Sequence, residues 1–146
     1  AYDDLFSVDE VGAICRHIPW TRLLREGITT YRGRRIDLLD FVSTHQNMLA
    51  LKPNGDYGGH GVRRGWECKS DEWERALKTA LSDSYVVQER IEVLRQSFPT
   101  LQGREIKYED LSVDFDPYTW YGEGVEGAGV RLTGGNGWTA PMLIIE

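Results

Sequence analysis

The chain has 146 residues, 40% of them hydrophobic, and a net charge of −6. That suits one globular domain or part of a larger protein, and it excludes a disordered segment. The acidic balance argues against a general nucleic-acid binder, whose affinity comes from clustered Lys and Arg. No apolar run approaches the roughly 20 residues of a membrane span, and no secretory signal opens the sequence. Cys15 and Cys68 have no metal-ligand spacing, a disulfide between them is open but unsupported, and reduced thiols in a cytoplasmic protein are the expectation. His17, His45 and His60 are scattered, which argues against zinc. The first residue is Ala rather than Met, so the chain reads as a piece of a longer protein.

Ser7-Val-Asp-Glu10 is a capping box that opens a short helix through about Ile14. Pro19 ends that pattern, and Pro19-Trp20-Thr21-Arg22 begins a connecting stretch. Thr29 to Tyr31 reads as a short extended piece closed by Gly33. Asp37 to about His45 reads as a second helix, with Leu38, Leu39, Phe41 and Val42 on its apolar face. Arg22, Arg25, Arg32, Arg34 and Arg35 lie close together. A solvated surface is the plain reading of that cluster, and one or two guanidinium groups reaching a phosphate is the sharper one.

Met48 to Leu51 reads as a strand that delivers Lys52-Pro53 to a glycine-rich loop, Asn54 to Gly61. Val62-Arg-Arg-Gly-Trp66 returns as the second arm of an antiparallel hairpin. Gly58, Gly59 and Gly61 permit positive φ and a close approach of backbone N–H groups to a ligand. With His60 inside the loop and Lys52 at its entrance, the arrangement suits a phosphate chain. The loop matches neither the phosphate-loop motif nor Gly-x-Gly-x-x-Gly, and glycines in a hairpin turn are ordinary.

Ser70-Asp-Glu-Trp-Glu74 opens the clearest helix, capped by Ser70 or Asp71. Trp73, Ala76, Leu77, Ala80 and Leu81 form its core-facing stripe. Tyr85 to Val87 is a short strand ending in Gln88-Glu89. Arg95 to Arg104 reads as a loop broken by Pro99 and Gly103, and Glu105 to Tyr108 as a possible extension into strand. Leu111 to Tyr121 is β-rich, with Pro117 at a bend or an edge. Asp114 and Asp116 share a face of that strand, where a turn before proline is the safer reading and metal binding the sharper one. Gly122-Glu-Gly124 makes a turn and Val125 to Thr133 returns as a strand carrying Arg131. Gly134 to Gly137 turns again, and Met142 to Ile145 is a final buried strand. The fold class is therefore α+β, an antiparallel sheet with a few packed helices. Residues 1–46 form a helical lead-in and connecting segment, and residues 47–146 form the main lobe.

Pro19-Trp20-Thr21-Arg22, Lys52-Pro53-Asn54, Tyr57-Gly58-Gly59, Gly65-Trp66-Glu67 and Val87-Gln88-Glu89-Arg90 together resemble the ATP-grasp superfamily. The likeness is to its circularly permuted members, glutathionylspermidine-synthetase-like and related bacterial proteins, and covers the chain from about residue 17. The resemblance implies an ATP-grasp-like nucleotide-binding lobe. It implies that Lys52 contacts ATP phosphate and that Gly58, Gly59, His60 and Gly61 close over the phosphates. It places Gln88, Glu89, Arg90 and Ile91 at the adenine hinge, Glu92 near the ribose, and Arg131 at the transferred phosphate as the catalytic candidate.

The implied activity is ATP-dependent joining of a carboxylate to an amine or thiol through an acyl phosphate, with ATP and Mg²⁺ required. Such phosphoryl transfer rests on positioning and charge neutralisation. No set of Asp, Glu and Asn before Lys52 matches the superfamily's magnesium ligands, so those ligands are expected in a missing upstream part. The turn at Gly134 to Gly137 is also shorter than in relatives. The expected partners are ATP and carboxylate and amine substrates of unknown identity, with no nucleic acid and no membrane. The fragment alone is expected to bind nucleotide weakly and to catalyse nothing. A nucleotide-binding lobe without chemistry, or a scaffold whose glycines are only turns, are the competing readings.

Overall fold

Ser7 opens the first helix as the sequence predicts. Its hydroxyl accepts the Glu10 amide at 3.3 Å while the Glu10 carboxylate accepts the Ser7 amide at 2.7 Å. The helix, α1 (Val8–His17), runs on past Ile14 to the residues before Pro19. The computed structural model describes residues 5–134, 137–138 and 142–143. It divides into two compact units, one ending at Ile91 and the other beginning at Glu92.

In the first unit, the stretch expected to be a connection supplies a strand, β1 (Thr21–Leu23). A hairpin follows, β2 (Ile28–Tyr31) and β3 (Arg34–Asp37). Its two turn residues, Arg32 at φ 46° and Gly33 at φ 77°, are both left-handed, which suits the twist of a tight hairpin. Asp37 then caps α2 (Leu38–Thr44) by accepting the Asp40 amide at 3.0 Å. A single turn at Gln46–Met48 leads into β4 (Leu49–Pro53).

After the glycine loop, only Arg63–Arg64 pair with β4, forming β5, and the expected strand to Trp66 is cut short. Gly65–Glu67 turn instead, because Gly65 packs directly on the Gln46 backbone. A Cβ at Gly65 would lie 1.9 Å from the Gln46 carbonyl oxygen. The long helix, α3 (Ser70–Ser82), has Lys69 as its N-cap rather than the expected Ser70 or Asp71, and the Glu72 carboxylate accepts the Lys69 amide at 2.8 Å. It ends before β6 (Tyr85–Glu89).

These strands form one antiparallel sheet in the order β1-β6-β4-β5. Alternation sends Leu49, Leu51 and Val87 to one face, where they are wholly buried. Trp73 and Ala80 of α3 and Leu38, Phe41 and Val42 of α2 join them in the core. The Trp73 indole donates to the Val42 carbonyl at 3.0 Å, so its one polar atom is satisfied inside. Ala76 and Leu77 pack against this core, while Leu81 of the expected stripe is 43% exposed.

The second unit is a sheet of long hairpins in the order β10-β9-β8-β7, with β11 also on β9. The expected loop from Arg95 is a strand, β7 (Arg95–Gln102), and β8 (Glu105–Trp120) runs 16 residues without a break. Pro99 fits because β7 has β8 on one side only. Pro117 fits because β7 pairs with β8 only as far as Ser112, so the far half of β8 is an edge. Gly122, at φ 76°, turns the chain into β9 (Gly124–Gly134), with a bulge at Tyr118/Thr119. β10 (Gly137–Trp138) and β11 (Met142–Leu143) complete the sheet. Gly135, Asn136, Ile144 and Ile145, in the last expected turn and strand, lie outside the described residues. Tyr118 lies across the side-chain-free strip of Gly127 and Gly129, and a Cβ at Gly129 would stand 2.7 Å from its hydroxyl.

Among the described residues no helix is long and apolar enough to cross a membrane. The cysteines are unpaired.

Candidate functional site

Lys52 alternates with Leu51 and so points to the face of the first sheet turned away from α2 and α3. Gln88 stands opposite Ala50 on one side and Thr21 on the other, on that same face. The three polar side chains form a line across three strands. Lys52 Nζ donates to Gln88 Oε1, and Gln88 Nε2 donates to Thr21 Oγ1 at 2.9 Å. The Thr21 hydroxyl donates in turn to the Pro19 carbonyl at 2.9 Å. An ammonium has no acceptor, so the first bond fixes which end of the Gln88 amide faces Lys52, and every later donor follows. All three side chains are half-buried.

Glu89 follows Gln88 and therefore serves the opposite face. Its Oε1 accepts the Tyr31 hydroxyl at 2.6 Å and Arg32 Nη2 at 2.7 Å. Burial is the main cause that raises the Tyr31 phenol above its ordinary value, and the bond to Glu89 adds to it, with Arg32 opposing. Tyr31, Trp20 and Phe41 pack together behind this pair, Trp20 edge-on to both of the other rings. Arg22 ties the same region by donating to Thr29 Oγ1 at 2.9 Å and to the Thr21 carbonyl at 2.8 Å. Arg22 and Arg32 of the arginine cluster are thus bound into the first unit.

At the end of β6 the Glu89 amide donates to the Trp20 carbonyl at 2.8 Å and the Arg90 amide to the Met48 carbonyl at 2.7 Å. The Arg90 guanidinium lies 4.5 Å from the centroid of Trp66. Glu89 and the exposed Ile91 border a cleft of about 530 Å³ beside Trp20 and the last turn of α1.

The glycine loop is anchored where Asn54 donates to the Ser84 carbonyl at 2.7 Å. Gly58, Gly59 and Gly61 have φ of 63°, 78° and 69°, the left-handed region expected of a backbone cradle. His60 is exposed and meets Tyr57 edge-on at 5.7 Å.

The structure thus joins Lys52 directly to Gln88, and turns Glu89 and Arg90 to local partners. Glu92 and Arg131 belong to the second unit. Arg131 is ion-paired to Asp114 at 2.7 Å and to Asp116 at 3.0 Å, so those two aspartates share a face as expected and turn to a cation. Among the described residues no group of three or more His, Cys, Asp or Glu side chains is placed to hold a metal ion. Thr21, Tyr31 and Trp66 had no assigned role in the sequence reading. The words Pro19-Trp20-Thr21-Arg22 and Gly65-Trp66-Glu67 were the signal for two of them, while nothing local marked Tyr31. No family model, curated protein or solved structure matches this chain.

Proposed function

We propose that this chain is the nucleotide-binding part of a circularly permuted ATP-grasp protein. The parent would be an ATP-dependent carboxylate–amine or carboxylate–thiol ligase of the cytoplasm. The observation that carries the reading is Lys52, fixed by Gln88 on the open sheet face at the entrance of a loop with three left-handed glycines. A half-buried ammonium tethered at one N–H keeps two donors for phosphate oxygens. The amides of Gly58, Gly59 and Gly61 would supply neutral donors around the same phosphates, while the His60 amide is bonded to the Tyr57 carbonyl at 3.2 Å. With the Glu89 and Arg90 amides already bonded, the base edge falls to the Ile91 amide.

Magnesium finds no matching ligand set among the described carboxylates, since Asp114 and Asp116 are turned to Arg131. The reading leaves the metal, and the carboxylate and amine substrates, to another part of the parent. A second reading, a nucleotide-binding lobe without chemistry, is favoured by the same ion pairs, which hold Arg131 away from the role of phosphate ligand.

Titration calorimetry with ATP–Mg²⁺ on this chain tests the proposal. Weak binding is expected, and Lys52→Ala should weaken it by about 10- to 100-fold, the worth of a charge-assisted hydrogen bond. Unchanged affinity in Lys52→Ala, with the variant folded, would remove phosphate binding from this loop.

A further inference from the structure

A second cleft lies on the other side of the first sheet, and the Lys52 site does not use it. It measures about 440 Å³ and is bordered by Arg63, Cys68, Glu72, Arg75, Thr79 and Tyr85. Strand register explains how two adjacent arginines come to serve different faces. Arg64 stands opposite Ala50 and shares the Lys52 face, whereas Arg63 stands opposite Leu51 and shares the face covered by α3. Arg64 is paired with Glu67 at 3.2 Å. Arg63 has no ion pair or side-chain hydrogen bond among the described residues.

Across the cleft, Arg75 sits on α3, bound at 3.0 Å to Asp71 one turn earlier on the exposed helix surface. The acidic group in the lining, Glu72, is already occupied, because its carboxylate accepts the Lys69 amide at 2.8 Å. Two guanidinium groups, a phenol and a hydroxyl thus border a concave space with one carboxylate that is turned to the backbone. Guanidinium forks match the planar oxygens of carboxylate and phosphate.

We propose that this cleft binds a small oxyanion, a free carboxylate or phosphate group, between Arg63 and Arg75. The site stands on the opposite face of the sheet from Lys52 and does not rest on the nucleotide reading. It also touches the root of the glycine loop. A Cβ at Gly61 would lie 3.2 Å from the Tyr85 hydroxyl, and Arg63 follows Gly61 by two residues. An anion seated there braces the loop from behind.

Cys68 reports occupancy, since its half-buried thiol borders the same space. Cys15→Ser leaves Cys68 as the single thiol of this chain, which has two cysteines. The measurement is the rate of alkylation of Cys68 by neutral iodoacetamide, at constant ionic strength, with inorganic phosphate, acetate or chloride. Phosphate or acetate should slow the reaction severalfold and saturably, and the stronger of the two identifies the preferred oxyanion. Arg63→Gln should abolish the protection, while Arg64→Gln and Lys52→Ala should keep it. Circular dichroism confirms that each variant is folded, and Arg63→Lys should restore partial protection. Equal effects of chloride and both oxyanions, or equal loss in Arg63→Gln and Arg64→Gln, would overturn the proposal. So would loss of protection in Lys52→Ala, which would place the phosphate on the other face.

Discussion

The two sheets obey the same alternation and end with different interiors. In the first, every second residue of β4 and β6 meets a helix, so Leu49, Leu51 and Val87 vanish from solvent beneath Trp73, Phe41 and Val42. In the second, the described residues form hairpins only. Leu111 and Val130 are buried, while Phe115, Tyr108 and Trp120 remain 57%, 73% and 65% exposed. The second unit is held instead by its strand ladders and by polar pairs, such as Arg95 with Asp110 at 2.7 Å and Arg131 with Asp114 and Asp116. A strand pattern marks which residues share a face, but a covering layer decides whether that face becomes a core. Apolar burial therefore contributes most to stability in the first unit, and backbone pairing in the second.

Removing the central ring of each unit should expose that contrast most strongly. Trp73→Ala deletes a wholly buried indole and should cost about 3–5 kcal/mol, read by urea unfolding with hydrogen exchange assigning the loss to the first unit. Phe115→Ala in the second unit should stay within about 0.5 kcal/mol. Comparable costs would show that the Phe115 ring is covered in solution.

A matched pair of glycine substitutions sharpens the comparison. In Gly65→Ala the new methyl meets the backbone of Gln46 at 1.9 Å and that of Leu49 at 2.9 Å, which cannot yield without moving β4. A cost of about 1–3 kcal/mol or more is expected. In Gly129→Ala the obstacle is the far end of the exposed Tyr118 side chain at 2.7 Å, which can swing away, so the cost should stay below about 1 kcal/mol. Thermal melts of the two variants, followed by far-ultraviolet circular dichroism, decide the order.

The smallest effect concerns pH. The Tyr31 phenol titrates above its unfolded value, chiefly through burial and then through Glu89. Its contribution to stability is therefore complete below about pH 10 and lost as pH rises through the higher folded value. Absorbance of the phenolate should show a late-titrating component that Tyr31→Phe removes. An unchanged titration would mean that the Tyr31 phenol is neither buried nor bonded to Glu89 in solution.

The sequence is legible where one short motif decides the structure, as at the Ser7–Glu10 box and in the run into Lys52. The helix expected from Asp37 is also present, with Asp37 itself as its cap. β1 escaped because three residues with no alternation look like a connection until β6 pairs with them. β7 escaped because Pro99 and its many polar residues read as loop, although an edge strand tolerates both. At the candidate site, Lys52 and Gln88 each stood out in the sequence. Their bond did not, because it depends on which strands are neighbours and in what register. Thr21 enters for the same reason.

The choice of an amide at position 88 has an electrostatic meaning. Arg32 is held by a carboxylate and Arg131 by two, so the fields of those cations are largely cancelled where they stand. Lys52 is held by a neutral tether. Gln88 restrains the ammonium less strongly than a carboxylate would but leaves its charge intact, so among the described residues the open face of the first sheet keeps a positive pole with no ion-pair partner.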